Sequence, residues 1–172
     1  MPQSQSQKTQ RAGARKVQLN PVGALVDIAD TLYRTAEASC IEHRRYADLV
    51  EKSVPDIEQR SARVAARAAD EALEEAVDLY EVACLQESNH GDDAWWHKAN
   101  RIWKSAKEYL QHHASSNRLT RGGGGGHGKA ELLELTIEYK LEASALLKLR
   151  HTIDDYREVR PEISGSFEAV TQ

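Results

Sequence analysis

The chain has 172 residues, 29% of them charged and 40% apolar, with four prolines. This suffices for one domain with a proper core but not for two large ones, and the apolar content is too periodic for wholesale disorder. The net charge of −4 is mild and selects no class of partner.

The distribution of charge says more. Residues 1–20 carry Lys8, Arg11, Arg15 and Lys16 and no acid. Residues 55–90 carry nine acids against three arginines, and residues 91–121 six bases against three acids. Internal complementarity between these segments is the simplest reading. The first twenty residues lack the apolar stretch of a signal peptide, and no apolar run approaches the roughly 18 residues that span a bilayer. A cytoplasmic, reduced protein with no membrane partner is the expectation.

Residues 1–19, rich in Gln, Ser and base, read as a disordered basic arm. Asn20-Pro21 reads as a helix start, with Asn20 capping and Pro21 in the first turn. A first helix over about 21–52 places Leu25, Ala29, Leu32, Ala36, His43, Ala47 and Val50 on one stripe. Ser53-Val54-Pro55-Asp56 then ends it, and Ser53 is expected to cap the second helix, about 54–88, in a capping-box pattern. That helix carries an alanine seam, Ala62, Ala65, Ala69, Ala72, Ala76 and Ala83 with Leu79, which suits close helix packing. Leu73, Val77 and Tyr80 flank it.

The third helix, about 92–116 with Asp92 or Asp93 as cap, holds all three tryptophans, Trp95, Trp96 and Trp103. Its stripe runs Trp95, Ala99, Ile102, Ala106, Tyr109, His113. A flexible glycine-rich loop is expected over 117–128, and a fourth helix over about 129–160, ended by Pro161. Leu132, Leu135, Tyr139, Ala143, Leu146, Leu149, Ile153 and Tyr156 form its main stripe, while Leu133, Ile137, Leu141 and Leu147 lie off it. Residues 161–172 form a tail. Short links between the first three helices force antiparallel neighbours. The predicted fold is all-α, an antiparallel up-down-up-down four-helix bundle over residues 20–160.

Several patterns invite chemistry. Gly123–Lys129 fits part of a phosphate-binding loop, but Ala130 replaces the magnesium-holding hydroxyl and no strand precedes it, so no nucleotide is expected there. Matched heights in the bundle bring His43, His113, Glu138 and Glu142 to one level, a set able to hold zinc or iron. A second, weaker grouping joins His97, His151 and Cys84. Cys40 and Cys84 differ in height by roughly 20 Å at 1.5 Å per residue, too far for a disulfide. Lys98, Arg101, Lys104 and Lys107 lie among tryptophans, with the acidic second helix available to neutralise them. The column Glu131, Glu134, Glu138, Glu142 could face Arg60, Arg63 and Arg67. No nucleophile–base arrangement stands out, and nothing asks for catalysis.

The leading functional expectation is a non-enzymatic interaction or scaffold protein that self-associates as a homodimer or larger assembly, because Leu133, Ile137 and Leu141 need cover. The alternatives are a metal- or small-ligand-binding bundle using His43, His113 and a glutamate, and a nucleic-acid accessory protein acting through Lys8, Arg11, Arg15 and Lys16.

Overall fold

A computed structural model describes residues 21–86, 93–122 and 128–160. It contains four helices, α1 (Pro21–Glu51), α2 (Asp56–Gln86), α3 (Ala94–Gly122) and α4 (Lys129–Arg157). The basic arm, the glycines at 123–126 and the tail lie outside the described residues. The helices form an antiparallel up-down-up-down bundle. It is built as two hairpins, α1 packed along α2 and α3 along α4, with sparser contact between the hairpins. α2 and α4 sit diagonally, with no close approach of their backbones. None of the four helices is long and apolar enough to cross a membrane.

The turn between α1 and α2 differs from the capping box read in the sequence. Ser53 has a φ of 53°, the left-handed region that favours glycine. Its N–H donates to the Val50 carbonyl, and the Val54 N–H donates to the Leu49 carbonyl. This pair of bonds is the Schellman ending, which satisfies carbonyls that a helix C-terminus leaves unpaired. Ser53 therefore closes α1, and the Pro55 carbonyl accepts the first bonds of α2, from Glu58 and Gln59. At α3 the expected position holds, for the Asp93 carbonyl accepts from Trp96 and His97. α3 runs on to Gly122, past the end expected at about residue 116. Nothing in Asn117–Arg121 breaks a helix, and Thr120 bonds back to the Ser116 carbonyl at 2.8 Å.

The core fills one half of the bundle. Its members are Leu25, Ala29, Leu32, Tyr33 and Ala36 of α1, Leu73, Ala76, Val77 and Tyr80 of α2, Trp96, Ala99, Ile102, Ala106 and Tyr109 of α3, and Ala145, Leu149, Ile153 and Tyr156 of α4. The face of α2 is turned from the predicted alanine seam. Its buried residues run Ala62, Ala66, Asp70, Leu73, Ala76, Val77, Tyr80, whereas Leu79 and Ala72 are exposed. The bulkier flanking side chains win the centre because each buries more apolar area than alanine, at about 25 cal/mol per Å². On α4 the predicted stripe is buried only from Leu149 onward; Leu132, Tyr139 and Ala143 are exposed. On α1 no side chain beyond Ser39 is buried, and Ala47 and Val50 are exposed. The end of the bundle carrying the α1–α2 turn is therefore open.

Replacing Ser53 by glycine removes the left-handed penalty while keeping both turn bonds. The S53G protein is expected to gain about 0.5–1 kcal/mol, a rise of about 2–4 °C in Tm for a chain of this size. Thermal unfolding followed by circular dichroism checks this; a loss of stability would refute the strained-serine reading.

Candidate binding groove

Where the packed half meets the open half, all four helices send polar side chains inward. α2 contributes Asp70, on the core stripe between Ala66 and Leu73, only 5% exposed. Ser39 of α1 donates to its Oδ1 at 2.7 Å, and His43, one turn further along α1, meets its Oδ2 at 2.8 Å through Nε2. Tyr109 of α3 donates to both carboxylate oxygens at 3.2 Å. Its own oxygen lies 2.8 Å from His43 Nε2, which fits an Nε2–H shared between Asp70 and Tyr109. A buried carboxylate is tolerable because each of its oxygens receives donors.

The second centre lies beside it. His113, one turn beyond Tyr109, meets Glu142 Oε1 of α4 at 2.7 Å through Nδ1. Ser116 donates to the other Glu142 oxygen at 2.5 Å. His113 Nε2 faces the Asn117 amide at 2.8 Å and Asp70 Oδ2 at 3.4 Å. The His43 and His113 rings stand 5.8 Å apart, edge to face. The cluster opens into a groove of about 1010 Å³ between α2 and α3. Arg63 and Arg67 line it from α2, Arg118 and Arg121 from α3, with Tyr46 and Tyr139 also on its walls.

These contacts set the protonation states. The bond to Glu142 raises the His113 pKa, against an opposing push from burial, and the charge on Asp70 adds to the rise. Burial pushes the Glu142 carboxyl up, but the bonds from His113 and Ser116 outweigh it and hold the carboxyl below its ordinary value. Burial, aided by Asp70, drives the Tyr109 hydroxyl far above the usual tyrosine range. Burial likewise pushes the Cys40 thiol up to about 12. Both are held protonated at neutral pH and are poor nucleophiles.

Of the residues read as metal ligands, the structure brings His43, His113 and Glu142 together. Glu138 lies apart, 3.0 Å from His112 Nδ1. Among the described residues no group of three His, Cys, Asp or Glu side chains is arranged to hold a metal ion. The imidazoles are engaged by Asp70 and Glu142 instead. Sequence reasoning missed Asp70, Ser39, Ser116 and His112. Asp70 was detectable as the one acid on the 62–66–70–73–77–80 spacing.

The other candidates are scattered. Cys84 is partly buried against the core while His97 and His151 are exposed. Cys40 and Cys84 are free thiols. Among the described residues, Lys107 alone of the α3 bases pairs with α2, at Glu81; Lys98 and Arg101 turn to Glu158 and Asp155 near the end of α4. The glutamate column does not meet Arg60, Arg63 and Arg67, because α2 and α4 are diagonal; Arg60 pairs with Asp56 and Arg67 with Glu71. Lys8, Arg11, Arg15 and Lys16 lie outside the described residues. No protein family, curated protein or solved structure matches this chain.

Removing the Asp70 carboxylate takes the acceptor from the Ser39 and Tyr109 hydroxyls and leaves His43 only the Tyr109 oxygen. D70A is expected to cost about 2–4 kcal/mol in urea unfolding, whereas E71A, whose exposed carboxylate meets only exposed Arg67, should change stability by less than about 0.5 kcal/mol. Equal effects would remove the network from the account of stability.

The His113–Glu142 pair also predicts a pH window. A raised His113 pKa stabilises the fold fully below the unfolded value of 6.5, and this is lost as pH rises through the folded value. A lowered Glu142 pKa stabilises above the unfolded value of 4.5, and this is lost as pH falls through the folded value. The stability advantage of the native chain over H113Q should peak between those two values and shrink on either side. An advantage unchanged from about pH 4 to about pH 9 would contradict the pairing.

Proposed function

We propose that this chain is a non-enzymatic interaction protein that self-associates through the outer face of α4. The observation that carries the reading is the row Leu133, Ile137 and Leu141, which are 62%, 49% and 41% exposed. They recur every four residues on one face, with Leu147 a turn and a half beyond. Tyr139 and Glu142, which line the groove, lie on the other side of the same helix.

Scattered exposed apolar side chains are ordinary, but a continuous row along several turns of helix is the pattern of an interaction face. A second copy of the chain is the occupant that suits it. A two-fold axis through Ile137 sets Leu133 of one copy against Leu141 of the other, so the row is self-complementary. A non-catalytic role is supported by the state of the polar cluster. Tyr109 is held protonated, and the oxygens of Asp70 and Glu142 are occupied by internal donors.

Sedimentation at tens of micromolar is expected to give a dimer or larger species, and I137E to give a monomer of unchanged helix content. A monomeric native protein at that concentration would overturn the proposal.

A further inference from the structure

The polar groove is a separate surface from the α4 face, and its charges are unevenly matched. We propose that it is a binding site for a small organic anion, held between Arg63 on the α2 wall and Arg118 and Arg121 on the α3 wall.

Four arginines and four carboxylates line the groove, so the total alone decides nothing. What matters is which are already used. Asp70 and Glu142, on the floor, are engaged by Ser39, His43, Tyr109, His113 and Ser116. Glu71 is paired with Arg67. Among the described residues Arg63, Arg118 and Arg121 take part in no ion pair, against the single carboxylate of Glu74 on the same walls. The uncommitted charge of the groove is therefore positive.

Guanidinium groups carry a planar fork of donors that matches carboxylate and phosphate oxygens. Placed on opposite walls, they suit an anion that enters between α2 and α3 rather than one lying on a flat face. The volume of about 1010 Å³ accommodates an organic body behind the anionic group. Tyr46, Tyr139, Val64 and Leu110 supply the aromatic and apolar surface for that body. The Tyr139 hydroxyl is fixed at 3.0 Å from Thr120 Oγ1, which orders that wall. The chemistry indicated is a carboxylate or phosphate monoester on a flat apolar or aromatic frame.

The test is calorimetric titration of the full chain at low salt with 1-naphthyl phosphate, alongside inorganic phosphate and 1-naphthol. Saturable binding of naphthyl phosphate, tighter than that of either fragment, is expected. The R118A/R121A double variant should weaken it by about tenfold or more, since each charge-assisted hydrogen bond to the anion contributes a sizeable factor. R63A should weaken it as well. K104A, an exposed base on α3 outside the groove, is the control for general charge and should leave affinity within about twofold. All four positions are exposed, so circular dichroism should report unchanged helix content. Absence of naphthyl phosphate binding up to about 5 mM would overturn the proposal, as would equal weakening by K104A or full affinity in the double variant.

Discussion

A carboxylate inside a helical bundle constrains everything packed around it. Asp70 cannot be left without donors, because an unpaired buried charge costs several kcal/mol. Its donors come from three positions on two other helices, Ser39 and His43 on α1 and Tyr109 on α3. That requirement fixes the axial register of α1 against α2 and of the first hairpin against the second. Apolar side chains alone tolerate sliding by a turn, since alanine and leucine repeat along these helices. The Asp70 network does not. The same geometry brings His113 beside Asp70 and, through Glu142, ties α4 to the set.

The opposite pole of the molecule has its own polar anchors. Asp30, buried on α1, takes both Arg34 and Arg160, and Arg160 also lies over the Tyr33 ring. Arg157 reaches Tyr33 and Glu37. Between this pole and the Asp70 network lies the dry core. Beyond the network, among the described residues, only Ala62 and Ala66 of α2 stay buried as apolar side chains, and the stretches of α1 and α4 that would complete a core there leave theirs in solvent. The polar cluster thus marks a boundary between a closed half and an open half.

Much of this is legible in the sequence. Long 3–4 periodicities specify four helices, and short links specify their antiparallel order. Matching heights along the helices place His43, His113 and Glu142 at one level. What is not legible has a common physical cause. The alanine spacing of α2 suggests one stripe, yet larger neighbours define the buried face, and so Asp70 passes for surface charge. Glu138 and Glu142 lie four residues apart on one helix, but they meet different imidazoles of α3, His112 and His113. Ser53 reads as a cap because serine favours that role; its left-handed backbone is a property of the turn, invisible to residue preference. The incomplete burial of α4 also escapes, since a stripe specifies a face and not what will cover it.

The division into two hairpins has a consequence for how the chain finds its fold. α1 with α2, and α3 with α4, are neighbours in sequence, so their extensive contacts close over short loops at small entropic cost. Contacts between the hairpins are fewer and span longer stretches of chain. Each hairpin can gather its apolar face before meeting the other, as helical proteins rich in local contacts generally do. Ser39 and His43 share a hairpin with Asp70, but Tyr109 reaches the carboxylate only when the hairpins dock, so Asp70 keeps part of its hydration until that late step. Its desolvation then falls on the same event that seals the core, making hairpin docking the point at which a wrong register is rejected.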